Sequence, residues 1–331
     1  MSALYDTHYP VMLPEVLSHL LPKSAETYVD GTFGYGGYSE AFLKAANCHV
    51  IGLDRDVNVQ PRASELEADY GGRFRLIETP FSKMDDVGLS EVDAVVLDIG
   101  VSSMQLDQAK RGFSFMRAGP LDMRMSQDGP TAAMAVNQLT HGQLANMFKV
   151  YGEERQAGRI ASAILRAREQ GDIIGTDELA SVIEAAIGRS GKIHPATRVF
   201  QALRIFINDE LGELYRGLCA AERILKPGGR LIVVTFHSLE DRIVKLFFRR
   251  RSGELSGGSR YQPVVQVSAI EASFELSRRA VVKPSKEEIA ANPRSRSAKL
   301  RCGIRTASAP YPCDDELLPN VPNVHDIKWA A

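Results

Sequence analysis

Gly34, Gly36 and Gly37 follow a short apolar run, Thr27 to Asp30, and Asp54 closes the next apolar run eighteen positions after Gly36. Glycines at such a turn let the backbone approach a ligand and aim the amides of the following helix at it. An acid closing the second strand can accept both hydroxyls of a ribose. On its own the pattern serves either a dinucleotide or S-adenosylmethionine. Two details separate them. The dinucleotide fingerprint places a third glycine where this chain has Ser39. A second acid, Asp98, closes the fourth apolar run. In the methyltransferase version of this sheet, that position lies beside the methionine part of the donor and the methyl in transit. The plainer roles are a helix cap or loop acid for Asp54, and for Asp98 a turn residue satisfying local amides.

The elements that must position these residues are legible as alternating runs. Thr27–Asp30, His49–Leu53, Arg73–Glu78 and Asp93–Leu97 read as strands, with a helical segment from Ser39 to Ala46. Such spacing argues for an α/β fold with a parallel sheet covered on both faces. The alternation then stops. Ile160, Ala163, Ile164 and Ala167 recur at helical spacing, as do Leu179, Val182, Ile183, Ala186 and Ile187, with Thr176 as the expected N-cap of the second set. Residues 107–205 are therefore expected to form an inserted all-helical domain. Residues 1–106 and 206–331 are expected to form the sheet domain. A long amphipathic helix through Leu211, Leu214, Tyr215 and Leu218 should stop at Lys226-Pro227-Gly228-Gly229. Arg230–Phe236 and Ala298–Arg305 read as strands, and Ser252–Ser259 as a Gly/Ser-rich loop.

Of the 331 residues, 44% are hydrophobic and 24% charged, an ordinary globular composition. No apolar stretch reaches the ~18 residues that a membrane helix needs, and Met1 to Pro10 carries no signal pattern, so a cytoplasmic location is expected. Cys48, Cys219, Cys302 and Cys313 form no C-x-x-C pair, which argues against a zinc site or a disulfide framework. The net charge of −1 hides an asymmetry: Arg242 to Arg305 carries fifteen Lys/Arg against five Glu. That segment is +10 and the remainder −11, a polyanion footprint or a solvated basic loop.

Longer runs are family-specific. They include Tyr9-Pro10-Val11-Met12-Leu13, Val29-Asp30-Gly31-Thr32-Phe33-Gly34, Leu53-Asp54-Arg55-Asp56 and Leu97-Asp98-Ile99-Gly100-Val101-Ser102-Ser103. Further on stand Arg111-Gly112-Phe113-Ser114-Phe115, Tyr151-Gly152-Glu153-Glu154-Arg155, Phe236-His237-Ser238-Leu239-Glu240-Asp241-Arg242 and Asn292-Pro293-Arg294-Ser295-Arg296-Ser297. On these runs, which span residues 8 to about 305, the chain closely resembles the MraW family of 16S rRNA cytosine-N4 methyltransferases. The resemblance implies a class I S-adenosylmethionine-dependent methyltransferase: a Rossmann-like, seven-stranded, mostly parallel sheet with the helical insertion serving substrate recognition. It implies S-adenosylmethionine as cofactor, and as partner the 16S rRNA of the small ribosomal subunit. The implied target is the N4 amine of the decoding-centre cytosine 1402. Another nucleic acid or a protein is the alternative substrate. The implied cofactor contacts are Gly34, Gly36, Gly37, Tyr38, Asp54, Phe81, Asp98 and Gln105. Tyr38 departs from the histidine usual in the family.

Methyl transfer from a sulfonium needs no metal, because the leaving group is neutral and in-line placement does most of the work. A cytosine amine is a poor nucleophile; its lone pair must be turned out of the ring and a proton must leave. Many amino-methylating enzymes use Asp/Asn-Pro-Pro-Tyr/Phe after the fourth strand, which is absent here and in the family. Asp98 with nearby carbonyls, and His237, are the catalytic candidates; His237 serves equally as a structural histidine of its turn. Phe113 and Phe115, with Met123 and Met125, are candidates to line the cytosine pocket or to pack a hinge. Arg198, Arg249, Arg250, Arg294 and Arg296 suit RNA phosphates, as do Arg204, Arg251, Arg301 and Arg305. Cys313 lies in the C-terminal tail, away from any ring-carbon chemistry.

Overall fold

A computed structural model describes residues 10–100, 108–126, 128–189, 194–253, 271–276 and 281–330. Gln105 and most of the Gly/Ser-rich stretch lie outside them. The chain divides into two compact units: Met1–Gly100 with Leu211–Leu318, and Val101–Glu210 with Pro319–Ala331.

The first unit is built on β1 (Thr27–Asp30), β2 (His49–Asp54), β3 (Phe74–Glu78), β4 (Val92–Asp98), β5 (Leu225–Thr235), β6 (Phe274–Leu276) and β7 (Lys299–Arg305). They lie side by side in the order β3-β2-β1-β4-β5-β7-β6, with β7 antiparallel to β5 and β6 and the other pairs parallel. This is the seven-stranded, mostly parallel sheet that the resemblance implied. β6 was not legible as a strand: three residues are too few to show a period. Burial explains the apolar runs. Val92 to Leu97 of β4 and Leu231 to Val234 of β5 are all buried, as strands covered on both faces must be. Helices α1 (Leu13–Leu20), α2 (Gly37–Ala45) and α3 (Gln60–Tyr70) accompany the first strands. Val92 pairs with Leu225 and Ala94 with Arg230, so residues 226–229 bulge out of β5 just after helix α9 (Glu210–Ile224) ends.

Asp30, Asp54 and Asp98 are each the last residue of a parallel strand, so the three carboxylates gather at one edge of the sheet. β1 and β4 are neighbours there, and chain order runs outward from them to β3 on one side and to β5 on the other. Such a reversal opens the crevice in which doubly wound sheets hold ligands.

Among its described residues the second unit carries α4 (Ala132–Gln138), α5 (His141–Val150), α6 (Ala157–Arg168), α7 (Thr176–Ile187) and α8 (Ala196–Ile207). Ile160, Ala163, Ile164, Leu179 and Ile183 are buried, as their spacing required. Thr176 is not the cap of α7. Gly175 holds that position, and Glu178 reaches back to accept from the amides of Ile174 and Gly175. Thr176 is the first helical residue; its hydroxyl accepts from Gly119 N and donates to Arg117 O. The C-terminal segment also departs from expectation. The sequence reading put residues 206–331 wholly with the sheet, yet from Pro319 on the chain lies with the helical unit. Gln138 exchanges two hydrogen bonds with Ala330, at 2.8 and 3.3 Å, and the Trp329 ring meets Phe206 at 6.4 Å. No helix of the described residues is long and apolar enough to cross a membrane.

Candidate active site

The glycine bend is pinned by the acid that follows it. Gly34 N donates to one Asp54 oxygen and Asp56 N to the other, both at 2.8 Å. Gly36 has φ +72°, and a Cβ there would come within 2.9 Å of Phe33 and Leu66. A side chain at that position would therefore be both strained and crowded. The Gly36 carbonyl accepts from Glu40 N, so α2 begins at the bend. Burial raises the Asp54 carboxyl above its usual range, although the amides of Asp56 and Gly34 pull the other way. Each Asp54 oxygen keeps a lone pair for a further donor, as a ribose diol requires.

Asp30 was not singled out from the sequence, yet it is fully buried beside this bend. Ser39 donates to it twice, from Oγ at 2.7 Å and from N at 3.2 Å. The residue that broke the dinucleotide fingerprint is thus the one that supplies Asp30 with a hydroxyl; a glycine there would leave only backbone amides, its own and that of Thr32. Burial still outweighs these bonds and lifts the Asp30 carboxyl to about 6. The available signal was an acid and a hydroxyl nine positions apart across a glycine turn.

Asp98 is anchored through its backbone, N donating to Thr32 Oγ1 at 2.7 Å. Its Oδ1 is sequestered from solvent and accepts no hydrogen bond from the described residues. A buried acceptor without a donor is costly and marks a place built for a ligand's donor. Burial, reinforced by the negative charges of Asp30, Glu240 and Glu288, pushes this carboxyl well above its usual range. A cation or an amine placed here would relieve all of these penalties at once. S-adenosylmethionine carries both, so the residues present fit it.

Phe81 lies in a short 3-10 turn after β3 and is partly buried. Cβ atoms at Gly31 and Gly217 would stand 3.2 and 2.3 Å from Phe81 atoms, so both glycines make room for this residue. Tyr38 turns away from the bend. Its hydroxyl donates to Val11 O, and its ring is buried 6.1 Å from that of Phe42.

His237 follows β5 as the N-cap of α10 (Ser238–Arg251), its Nδ1 accepting from Glu240 N at 3.4 Å. Glu240, with no exposed surface, accepts the amides of Phe236 and His237 at 2.8 and 3.1 Å. The second Glu240 oxygen lies 2.8 Å from His237 Nε2 without hydrogen-bond alignment. A neutral imidazole whose Nδ1 accepts carries its ring proton on Nε2, here beside the Glu240 carboxylate. In the sequence Glu240 is one charged residue of a polar motif, and nothing there marks it as the partner of this histidine.

The basic residues divide sharply. Arg294 and Arg296 are exposed on a short 3-10 turn (Pro293–Ser297). Arg198 is half exposed and lies 3.6 Å from Glu154. Arg249 is partly buried at the end of α10. Arg250 is taken up by Asp314 and Glu316, at 3.1 and 3.0 Å, and Arg204 by a bidentate pair with Glu210 at 2.8 Å. Three arginines read as phosphate contacts are structural instead. Arg251 is fully buried against Glu222, Arg305 is buried with its guanidinium on the carbonyls of Glu222, Ser273 and Thr306, and Arg301 pairs with Asp241 at 2.8 Å. In the helical unit Phe113 is buried and Phe115 partly so, both beside one cleft. Met123 and Met125 are buried; Asn208 accepts from Met125 N at 2.7 Å and donates to Met123 O at 2.8 Å, fixing their strip of chain to the end of α8.

A model of the MraW methylase family matches residues 6–306. Ribosomal RNA small subunit methyltransferase H of Maricaulis maris is 59% identical over 304 residues, covering 90% of this chain and 91% of that protein. The protein of the same name from Caulobacter vibrioides is 56% identical over 302 residues, covering 90% and 96%. That from Brucella anthropi is 52% identical over 330 residues, covering 97% and 94%. With three strand-end carboxylates around a glycine bend and a match over nearly its whole length, the chain belongs to the MraW methylase family.

Proposed function

We propose that this protein methylates the exocyclic N4 of a cytosine, cytosine 1402 of the decoding centre, in the 16S rRNA of the small ribosomal subunit. The observation that carries the reading is the sequestered Asp98 Oδ1 at the reversal of the sheet, without a hydrogen-bond donor among the described residues. The protein is an S-adenosylmethionine-dependent methyltransferase of small-subunit rRNA. Bound S-adenosylmethionine supplies a methyl group on a sulfonium with a neutral leaving group. Gly34, Gly36, Gly37 and the Tyr38 backbone border it, Asp54 accepts its ribose, Phe81 packs on its adenine and Asp98 takes its cationic end. Gln105, outside the described residues, is the remaining assigned contact.

On the substrate side, the protein must draw on the amine hydrogens so that the nitrogen lone pair turns outward, then take a proton. Asp98 and the carbonyls at the end of β4 do the first. Asp98 also receives the proton, and His237, whose Nδ1 accepts from Glu240 N and whose Nε2 therefore keeps its own proton, holds the base. Phe113 and Phe115 hold RNA bases, and Arg198, Arg249, Arg294 and Arg296 hold phosphates. Arg250 joins them by exchanging its acidic partners for RNA. The base has to leave its stack to be reached.

Mass analysis of nucleosides from small subunits incubated with protein and donor should yield N4-methylcytidine at that single site. A methyl on any other atom or RNA, or none, would sink the reading. Raising salt should weaken RNA binding steeply and donor binding little, since only RNA binding releases condensed counterions. Equal salt slopes for the two would remove the arginines from the assignment.

Donor binding should also release protons. Asp98 is held above its usual range in the free protein, and a bound cation favours its charged form. Between the bound-state and free-state values binding expels a proton, so donor affinity rises with pH and levels off above the free-state value. Calorimetry in two buffers of different ionisation enthalpy reads this directly. Identical heats in both would place the donor's cation elsewhere.

A further inference from the structure

The chain beyond β7 runs back along one face of α9. Tyr215, Cys219 and Glu222 are buried there at helical spacing, and the tail meets them in reverse order. Tyr215 Oη donates to Asp314 Oδ1 at 3.2 Å, the thiols of Cys219 and Cys313 are hydrogen-bonded to each other, and Glu222 Oε1 accepts from Tyr311 N at 3.2 Å. Arg251 ties the same seam independently: its Nη2 lies 3.9 Å from Cys219 Sγ and donates to Pro312 O at 3.4 Å. Two cysteines that share no motif in the sequence are therefore neighbours in space. We infer that Cys219 and Cys313 form a reversible disulfide when the protein meets a small oxidised thiol such as glutathione disulfide.

Exposure divides the two roles. Cys313 is exposed and Cys219 has no exposed surface, so Cys313 is the thiol that solution reaches first. Its sulfur, as thiolate, attacks one sulfur of the small disulfide and expels the other as a thiolate. Cys219, deprotonated in turn, attacks the Cys313 sulfur and expels the second small thiolate. The cysteine pair loses two electrons and two protons; the small disulfide takes up the electrons, and its two thiolates the protons. In the reduced protein the hydrogen bond to Cys313, and then burial, hold the Cys219 thiol far above its ordinary range, while the charge of Arg251 pulls it down. Capping Cys313 removes the first of these and leaves Arg251 beside the attacking sulfur. Residues 306–314 belong to no helix or strand, so the tail can make the approach to about 2 Å that the bond needs. The bond closes residues 219–313, with β5, α10, β6 and β7, into one loop. A long closed loop restricts the unfolded chain, so the oxidised protein is the more stable form. The exposed Cys313 sulfur keeps the bond open to reducing thiols.

The test uses the full chain, incubated with glutathione disulfide, then denatured, alkylated and digested without reductant. Mass analysis should find the Cys219 and Cys313 peptides joined. Cys48, which donates to Phe42 O at 3.3 Å, and Cys302, inside β7, lie off this seam and should be alkylated. The unfolding midpoint should rise by several degrees, and dithiothreitol should reverse both changes. Cys313→Ser, at an exposed position, should melt as the untreated parent does and lose both the link and the rise. Cys219→Ala should stop at a glutathione adduct on Cys313. Parent protein that stops at that adduct with glutathione disulfide in excess, or that joins Cys313 to Cys48, to Cys302 or to a second copy, would overturn the inference. So would a midpoint that falls on linkage, because the tail would then have been pulled from its seat on α9. The parent chain alone decides the matter if Cys219→Ala does not fold, and no methyl transfer enters the measurement, so its outcome is independent of the reaction proposed above.

Discussion

Asp98→Asn is expected to abolish most methyl transfer while leaving the fold intact or more stable. The substitution is isosteric and keeps the backbone bond to Thr32. In the free protein the carboxyl is already held towards its neutral form by burial and by Asp30, Glu240 and Glu288. An amide imitates that neutral form and carries no like-charge repulsion, so melting should occur at the same temperature or higher. Function should move the other way. A charge-assisted hydrogen bond is worth about 1.5–3 kcal/mol, so donor affinity should fall about 10- to 150-fold. Removal of the group that engages the amine should cost roughly 100-fold or more in turnover. The buffer-dependent heat of donor binding should vanish at the same time. Donor affinity and turnover within two-fold of the parent would place the cationic end of the donor away from Asp98.

The sheet was readable because its strands are short apolar runs ending in acids, and that pattern is local. Asp54 and Asp98 are legible by position alone, each closing such a run. Asp30 could not, because it reads as the entry to the glycine turn, and its significance comes from Ser39 across that turn. The role of Glu240 was hidden for the opposite reason. A charged residue in a polar motif looks solvated, whereas this one is enclosed and holds the start of α10 through two amides. Tyr38 shows a further limit. A loop residue carried over as a ligand contact has its side chain in the core, and only tertiary structure reveals which way it turns. The +10 segment misled most. Net charge counts arginines without regard to partners, and Arg250, Arg251 and Arg301 all have acidic ones. For Arg251 a signal existed. Val244, Phe247, Phe248 and Arg251 share a helical face, and the first three are the buried face of α10.

That placement makes Arg251→Ala the substitution with the largest expected cost in stability. Arg251 and Glu222 have no exposed surface, and their side chains meet at 3.2 Å. The guanidinium also stacks 4.4 Å over Phe247 and 5.1 Å over Tyr311, while Glu222 accepts from Ser273 Oγ at 2.5 Å and Tyr311 N at 3.2 Å. Removing the arginine leaves a buried carboxylate without its counter-charge, a loss of about 3–5 kcal/mol. Removing both charges together, as Arg251→Met with Glu222→Leu, should recover part of that loss, because the desolvation penalty of the pair disappears with it. Denaturant titration of the single and double variants measures both. A phosphate contact would behave differently: Arg294→Ala with Arg296→Ala should lower RNA affinity and its salt slope with an unchanged unfolding midpoint. If instead Arg251→Ala unfolds like the parent and loses affinity for RNA, the guanidinium belongs to the RNA surface and the buried pair is not what holds this end of α10.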